Sequence, residues 1–246
     1  MDRNPKTYLI TGGSSGIGLA AAKRLAEKGN HLILVASNQE KLSAALASLA
    51  GTGHRSICCD LSCSAHVQDI YQTLTSWGVR LDGMVYSAGI SPLCLLKDNS
   101  SELMQKVFEV NVFSFIELVK FFQLPELSRE GARIVAVTSI TARGAGYRQT
   151  LYGSSKAAMI SAAKLMAREL LNRDIRINCI SPGVTDTPML DELRKSSPGL
   201  DEKIKANQPL GAIPAETIAE TIDHLLNSAS NYLTGMEWVL DGGAAL

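Results

Sequence analysis

Short apolar runs alternate with longer segments of mixed polarity from one end of the chain to the other. The apolar runs predict β-strands at residues 8–11, 31–36, 55–59, 81–86, 133–139, 175–180 and 236–240. The segments between them predict helices at residues 16–28, 39–50, 65–77, 102–123 and 152–171. A repeated strand–helix order predicts an α/β fold in which a doubly wound parallel sheet of about seven strands has helices on both faces.

One polar segment, residues 185–209, interrupts this rhythm directly after a strand. It contains Pro188, Pro198 and Pro209. Because ligands of open α/β sheets bind at the carboxyl ends of strands, this segment is a candidate lid over a substrate. A solvated loop with a short helix is the alternative. No linker or shift in composition divides the chain, so residues 1–246 are predicted to form a single domain.

The composition narrows the classes of function. A hydrophobic content of 46 % and a mean hydropathy of +0.07 allow a substantial core without metals or disulfides. The 24 basic and 24 acidic residues give zero net charge without a basic run, which argues against a nucleic-acid partner.

The five cysteines do not have the spacing of a metal site, and Cys58 and Cys59 are predicted to be small core residues rather than ligands or a redox pair. The four histidines are scattered, so no metal is expected. The N-terminus enters the first strand without a secretory leader, and no apolar run reaches the roughly 18 residues that span a bilayer. These features predict a reduced, cytoplasmic protein without a membrane partner.

A glycine-rich turn, Thr11-Gly12-Gly13-Ser14-Ser15-Gly16-Ile17-Gly18, joins the first strand to the first helix. A turn that binds a dinucleotide needs glycine for a tight bend, for close approach to the pyrophosphate, and for close packing of helix on strand. Gly12, Gly16 and Gly18 can fill these roles, with the backbone amides of the helix start facing the phosphates.

Tyr152 and Lys156 are four residues apart in a predicted helix, so they share one face. A free tyrosine has a pKa near 10, which is high for acid–base work at neutral pH. A nearby ammonium favours the phenolate, so Lys156 is expected to lower the pKa of Tyr152. Together with the glycine-rich turn, the pair indicates hydride transfer to or from a carbonyl.

These motifs resemble the short-chain dehydrogenase/reductase family, in its compact single-domain branch, over nearly the whole chain. The resemblance also rests on Tyr86-Ser87-Ala88-Gly89, on the set Asn111, Ser139, Tyr152 and Lys156, and on Pro182-Gly183 with Thr185 and Thr187. It implies a Rossmann-type fold, an NAD(P)(H)-dependent oxidoreductase, and a homotetramer or dimer paired through long helices. Tyr86 and Ser87 replace both asparagines of the family's turn, so weaker support of that turn is expected.

The resemblance also assigns roles to residues. Tyr152 is the expected acid/base, Ser139 binds the substrate oxygen, Lys156 also binds the nicotinamide ribose, and Asn111 holds a water that links Lys156 to solvent. The expected cofactor contacts are Gly12, Ser14, Ser15, Gly16, Ile17, Gly18, Ser37, Asn38, Asp60, Leu61, Ser87, Ala88, Gly89, Tyr152, Lys156, Pro182, Gly183, Thr185 and Thr187. Contact of Asp60 with the adenine amino group has an alternative, which is a cap on the following helix.

The end of the second strand favours NADP(H) over NAD(H). Ala36 and Ser37 stand where NAD-preferring relatives carry an acidic residue, so no carboxylate repels a 2′-phosphate. Lys41 can add positive charge. The hydrogen-bond donors available to such a phosphate are Ser14, Ser15, Ser37 and Asn38.

The substrate is less constrained. The expected substrate contacts are Ile140, Arg143, Tyr147, Met189 and Leu190, and Arg148 could also engage a polar substrate unless it is a solvated loop charge. The chain looks most like the 3-oxoacyl-[acyl-carrier-protein] reductases, which implies a ketone or acyl-thioester substrate and an acyl carrier protein that docks near Arg129 and Arg173. An NAD-dependent alcohol, sugar or steroid dehydrogenase working oxidatively remains an alternative, as does a non-catalytic cofactor sensor.

Overall fold

The computed structural model describes residues 4–144 and 146–246. Two parts of the chain lie outside the described residues. They are Met1–Arg3, where the sequence predicts no leader, and Ala145, between the predicted substrate contacts Arg143 and Tyr147. Seven strands form one parallel sheet in the order β3-β2-β1-β4-β5-β6-β9. They are β1 (Thr7–Thr11), β2 (His31–Ala36), β3 (Arg55–Cys58), β4 (Leu81–Tyr86), β5 (Ser128–Val137), β6 (Arg176–Pro182) and β9 (Glu237–Leu240), and β7 (Thr185–Asp186) pairs separately with β8 (Ile213–Pro214).

The predicted sheet is confirmed, with small changes at the strand ends. β5 begins five residues earlier than the apolar run suggested, and β9 begins at Glu237 instead of residue 236. The parallel register brings the ends of neighbouring strands together: Thr11 is opposite Tyr86, and Val137 is opposite Ile180. The carboxyl ends of β1, β4, β5 and β6 therefore share one edge of the sheet, which is where an open α/β sheet binds its ligand.

Helices cover both faces of the sheet because the strands are apolar on both sides. Leu9 packs with one set of helices and its neighbour Ile10 with the other, as the alternation of side chains along a strand requires. The first face carries α3 (Val67–Ser76), α5 (Ser114–Phe122) and α6 (Thr150–Glu169). The second carries α1 (Gly16–Glu27), α2 (Gln39–Ala47) and α9 (Ala215–Asn227).

Two helical features differ from the sequence prediction. The helix expected at residues 102–123 is divided into α4 (Ser101–Phe108), a π-helical segment (Glu109–Phe113) and α5. The helix α9 was not predicted, although Ile218, Ile222 and Leu225 recur at helical spacing and are buried against the sheet.

The polar segment 185–209 is helical rather than irregular. It contains α7 (Pro188–Ser196) and α8 (Leu200–Asn207), with Pro188 in the first turn, where proline fits because its missing N–H has no helical acceptor. Arg194 joins the segment internally, since its guanidinium pairs with Asp186, Asp191 and Asp201.

The cysteines differ in how far they are buried. Cys59 and Cys179 are buried, but Cys58 is exposed, so the prediction that both Cys58 and Cys59 are core residues is wrong for Cys58. The strand ends at Cys58, and its thiol lies 3.5 Å from the Ser37 carbonyl oxygen at the sheet edge. Across the described ranges, none of the helices has the length and apolar character needed to cross a membrane.

Candidate active site

The glycine-rich turn lies between β1 and α1, and its glycines are required by close contacts. A Cβ on Gly18 would lie 2.3 Å from the Gly12 carbonyl oxygen, so any side chain would separate the helix from the strand. Gly12 has φ +65, and a Cβ there would be 2.9 Å from the Ser87 carbonyl. Gly16 has φ +53 and faces Thr187. This cradle fits a group that must approach the backbone closely, as a dinucleotide pyrophosphate does.

Hydrogen bonds across the sheet edge hold the turn after β4. The Thr11 hydroxyl oxygen accepts hydrogen bonds from the Ser87 and Ala88 amides, both at 3.2 Å. Tyr86 is buried and donates its hydroxyl hydrogen to the Val110 carbonyl in the π-helical segment. The turn therefore has support from both sides, despite the loss of the two asparagines on which weaker support was predicted.

Asn111 lies in the π-helical segment and is fully buried. Its Oδ1 accepts a hydrogen bond from the Ile90 amide at 2.9 Å, and its Nδ2 donates to the Ile90 carbonyl at 3.0 Å. Nδ2 also donates to the Ser155 hydroxyl on α6 at 2.8 Å. Asn111 thus joins the loop after β4 to the helix that carries Tyr152 and Lys156.

Lys156 is only 3 % exposed, and its Nζ donates a hydrogen bond to the Val137 carbonyl at the end of β5 at 2.8 Å. Burial lowers the pKa of Lys156 to about 8. Gly89 leaves space beside it, because a Cβ on Gly89 would be 3.2 Å from Lys156 Nζ and 3.3 Å from Asn111 Oδ1. Gly89, Asn111 and Lys156, all predicted from the sequence as site residues, therefore lie together.

Lys156 Nζ lies 5.8 Å from the centroid of the Tyr152 ring. Burial raises the pKa of Tyr152 above its ordinary value, and the nearby Ser139 hydroxyl offsets only part of that rise. The predicted lowering of this pKa by Lys156 is therefore wrong for this arrangement, because burial dominates. The phenol is protonated at neutral pH.

Ser139 follows β5 and begins a short 3-10 helix, Ile140–Ala142. Its Oγ accepts a hydrogen bond from the Thr141 amide at 3.2 Å and donates to the Thr141 hydroxyl at 3.0 Å. The serine is thus held by its own turn.

The predicted cofactor contacts at the ends of β2 and β3 differ in whether their side chains already have hydrogen-bond partners within the chain. Ser37 is exposed, whereas the Asn38 side chain caps α2 by accepting a hydrogen bond from the Lys41 amide at 2.8 Å. Asp60 accepts a hydrogen bond from the Ser62 amide at 2.9 Å, which lowers the pKa of its carboxyl. This is a local turn contact and not the predicted cap, because the following 3-10 helix, Ser64–His66, has Cys63 at its N-cap and no side-chain cap.

The turn after β6 brings Pro182 and Gly183 to the same edge, where the Thr187 side chain contacts Gly16. Sequence reasoning missed Gln208, which is 1 % exposed and holds this turn in place. Its Oε1 accepts a hydrogen bond from the Val184 amide at 2.8 Å, and its Nε2 donates to the Val184 carbonyl at 2.9 Å. No local pattern identifies this residue, since its partner is 24 positions away.

Only some of the expected substrate residues have side chains that are exposed to bind a substrate. Arg143 donates two hydrogen bonds to Glu237, so its guanidinium has a partner within the chain instead of being free for a substrate. Tyr147 is 81 % exposed and Met189 is 51 % exposed, while Leu190 on the same helix is buried. Ile140 is half-buried beside Ser139.

Arg129 and Arg173 do not lie at the edge that holds Tyr152. Arg129 pairs with Asp82 at the start of β4, and Arg173 donates to the Gln123 and Ser128 carbonyls. These contacts are at the amino ends of the strands, so the predicted carrier-binding position beside the cleft is wrong within this chain. Over residues 4–144 and 146–246, no group of three or more His, Cys, Asp or Glu side chains could hold a metal ion.

Comparison with known proteins decides the family. A family model described as Enoyl-(Acyl carrier protein) reductase matches residues 12–245. Carbonyl reductase family member 4 of Xenopus laevis is 32 % identical over 242 residues, covering 98 % of both chains. The chain belongs to the short-chain dehydrogenase/reductase family. As a short-chain dehydrogenase/reductase, it is an oxidoreductase with a Rossmann-type α/β domain.

Two further relatives of this short-chain dehydrogenase/reductase cover it almost completely. The human 3-oxoacyl-[acyl-carrier-protein] reductase is 32 % identical over 243 residues and covers 98 % of both chains. A solved structure of ElxO with NADP bound is 26 % identical, has a TM-score of 0.87, and covers 98 % of this chain and 99 % of that one.

Proposed function

We propose that this protein is an NADPH-dependent reductase of ketones or 3-oxoacyl thioesters, with Asn111, Ser139, Tyr152 and Lys156 as its catalytic residues. The observation that carries the proposal is the buried Lys156 one helical turn from Tyr152, with its Nζ 5.8 Å from the Tyr152 ring centroid and Ser139 close to the phenol. These groups lie at the carboxyl edge of the sheet, beside the glycine cradle.

A bound nicotinamide supplies the hydride in this chemistry. Ser139 and Tyr152 hold the substrate oxygen, and Tyr152 donates its proton as that oxygen becomes an alkoxide. Reduction needs a phenol that is loaded with a proton, which is the form that burial favours in Tyr152. Lys156, buried one helical turn from Tyr152, binds the nicotinamide ribose in this proposal.

The cofactor end supports NADP(H). No acidic residue follows β2 at positions 36–38, and the exposed Ser37 is free to face a 2′-phosphate. Lys41 is exposed in the first turn of α2. Hydroxyl and amide donors with a nearby cation suit a phosphate, whereas an acidic side chain there would repel it. The relative ElxO was solved with NADP bound.

The proposed substrate class rests on the relatives and on two exposed apolar side chains. The human relative is a 3-oxoacyl-[acyl-carrier-protein] reductase, and the Xenopus relative is a carbonyl reductase family member. Leu96 and Met189 expose apolar surface after β4 and on α7, where an acyl chain can lie. An acyl carrier protein is a proposed partner, and α7 and α8 are the proposed lid. A cytoplasmic location stays a prediction from the sequence.

A homotetramer or dimer is part of the proposal. Phe113 at the end of the π-helical segment, Ile116 on α5 and Leu165 on α6 are exposed large apolar side chains. Burying such a surface between subunits is favourable, so the long helices are the proposed contact. Leu165→Glu is expected to shift the mass measured by light scattering toward the monomer. An unchanged mass would contradict this interface.

The test of the function combines cofactor binding with turnover. NADPH at 100 times its dissociation constant is expected to stabilise the protein by about 2.7 kcal/mol, and NADH at the same concentration by less. Tyr152→Phe is expected to lower kcat for a 3-oxoacyl thioester by about 100-fold or more, while NADPH binding is kept. Tyr232→Phe, at a tyrosine that is 96 % exposed, is the matched control and is expected to behave as the wild type.

Three outcomes would contradict parts of this proposal. A larger shift with NADH would overturn the cofactor preference and favour the oxidative dehydrogenase. Full activity in Tyr152→Phe would overturn the mechanism. NADPH binding without turnover of any ketone, thioester or alcohol in a broad panel would favour the sensor.

A further inference from the structure

Two loops lie at the carboxyl edge of the sheet, one after β4 and one between β5 and α6, and Arg148 joins them. The first loop follows β4 and contains Leu93 and Cys94; the second follows the 3-10 helix after Ser139 and ends where α6 begins. The Arg148 guanidinium donates a hydrogen bond from Nη2 to the Leu93 carbonyl at 3.0 Å. In the opposite direction, the Cys94 amide donates to the Arg148 carbonyl at 3.0 Å.

The backbone of Arg148 is held in an unfavourable conformation. Its φ is +63, in the left-handed region that favours glycine. Within the described ranges, Asp174 at φ +53 is the only other non-glycine residue with positive φ. Asp174 ends the 3-10 helix Leu170–Arg173, which is an ordinary place for this conformation, and it lies at the far end of the sheet.

Arg148 does not end a helix; it lies two residues before α6, the helix of Tyr152 and Lys156. A bulky side chain persists in a strained conformation when its surroundings enforce it, and such residues cluster at functional sites. Here the enforcing contacts are the pair of hydrogen bonds to consecutive residues of the other loop. Leu93 is also close along the chain to Ile90, whose backbone binds Asn111.

The two loops therefore cannot separate without breaking the Arg148 contacts. Leu93 and Tyr147, which flank these contacts, both expose apolar surface. Both loops lie at the carboxyl edge of the sheet, where an open α/β fold binds its ligand, so the spacing between them bears on the room left for a substrate.

We propose that Arg148 is a specificity-determining residue, whose side chain fixes the loop after β4 against the start of α6 and restricts the entrance to slender carbonyl substrates. The inference rests on the proposed reductase function. The substrates it favours are unbranched 3-oxo compounds, and those it excludes carry bulky or cyclic groups next to the carbonyl.

The first test is Arg148→Gly, because glycine adopts a positive φ without strain and keeps the backbone hydrogen bond from Cys94. The kcat/KM for a bulky bicyclic ketone is expected to rise relative to that for a linear 3-oxo ester by about tenfold, the range in which pocket size discriminates. NADPH binding is expected to stay within about twofold of the wild type, since Arg148 does not touch the glycine cradle. The melting temperature is expected to be unchanged or higher.

Two variants separate this role from a merely structural one. Arg148→Ala loses the same guanidinium but keeps the strain, so it is expected to show the same change in specificity with a lower melting temperature than Arg148→Gly. Asp174→Gly removes the other strained residue, far from the site, and is expected to leave the ratio of the two kcat/KM values unchanged.

An unchanged ratio in Arg148→Gly would overturn the inference. A wild type that binds NADPH but reduces neither ketone would instead contradict the proposed function. The loop contact has its own readout in hydrogen exchange of the Cys94 amide. Exchange is expected to be faster in Arg148→Gly than in the wild type, because without the guanidinium the two loops separate more often and open the remaining backbone hydrogen bond. Equal exchange rates would contradict the contact itself.

Discussion

Arg143 and Glu237, 94 positions apart in the chain, form a two-point ion pair at the carboxyl edge of the sheet. Nε to Oε1 is 2.9 Å and Nη2 to Oε2 is 2.8 Å. The Glu237 side chain is 5 % exposed and also accepts a hydrogen bond from the Ser181 hydroxyl at 2.6 Å. Ser181 in turn hydrogen-bonds with Thr138 at 2.7 Å. Thr138 and Arg143, which precede and follow Ser139 in the chain, are thus both connected to the buried Glu237 carboxylate.

Removing Arg143 alone is expected to cost more stability than removing Arg143 and the charge of Glu237 together. Arg143→Ala leaves the Glu237 carboxylate buried without its cation, and urea unfolding is expected to show a loss of about 1–3 kcal/mol. Arg143→Ala combined with Glu237→Gln is expected to recover part of this loss, because the buried charge is gone. Lys120→Ala breaks an exposed pair with Glu117 and is the control, with a change near zero. Equal losses in the single and double variants would contradict the role of the buried charge.

The buried Lys156 predicts a particular pH dependence of stability. Its pKa is lowered from 10.5 to about 8 in the folded protein, so between these pH values the unfolded chain binds more protons. Stability then rises with pH through this window. Relative to Lys156→Met, the free energy of unfolding of the cofactor-free wild type is expected to increase by about 3 kcal/mol between pH 7 and pH 11.

Urea titrations of both proteins across this pH range measure the difference directly. Lys120→Met controls for loss of an exposed lysine and is expected to follow the wild type. A constant difference between the wild type and Lys156→Met would mean that the ammonium is not desolvated in solution.

The closeness of α1 to β1 can be tested at Gly18. Gly18→Ala places a Cβ about 2.3 Å from the Gly12 carbonyl oxygen, so the backbone must move, and the melting temperature and NADPH affinity are both expected to fall. Gly144→Ala meets its nearest atom at 3.9 Å and is the control for a glycine replacement without a clash. Wild-type NADPH affinity in Gly18→Ala, measured by calorimetry, would show that the cradle is not the cofactor site.

Gln208 is expected to support the turn that follows β6. Gln208→Leu removes the partner of the Val184 amide, whereas the Val184 carbonyl keeps its hydrogen bond from the Ile213 amide. Leaving the donor unsatisfied costs about 1–3 kcal/mol. A lower melting temperature and weaker NADPH binding are therefore expected. Asn207→Leu, at the exposed neighbouring residue that bonds only to its own helix, is the control. Equal effects of the two substitutions would argue against a specific role for Gln208.

The predictions from sequence succeeded where neighbouring residues carry the signal. Leu9 and Ile10 pack on opposite faces of the sheet because successive side chains of a strand alternate, and this period is visible in the apolar runs. Tyr152 and Lys156 meet because residues four apart share one face of a helix. Gly18 is needed beside Gly12 because the turn between them is short.

The predictions failed where an outcome depends on elements that meet only after folding. The pKa of Tyr152 is raised because other elements of the fold bury it. Arg143 is paired because β9 carries Glu237 beside it. Chain order and local periodicity are therefore enough to establish the α/β sheet and the family motifs, while burial and long-range hydrogen bonds establish which side chains remain free to bind. The reason is physical: backbone conformation responds to near neighbours, whereas desolvation and ion pairing respond to whatever the fold brings close in space.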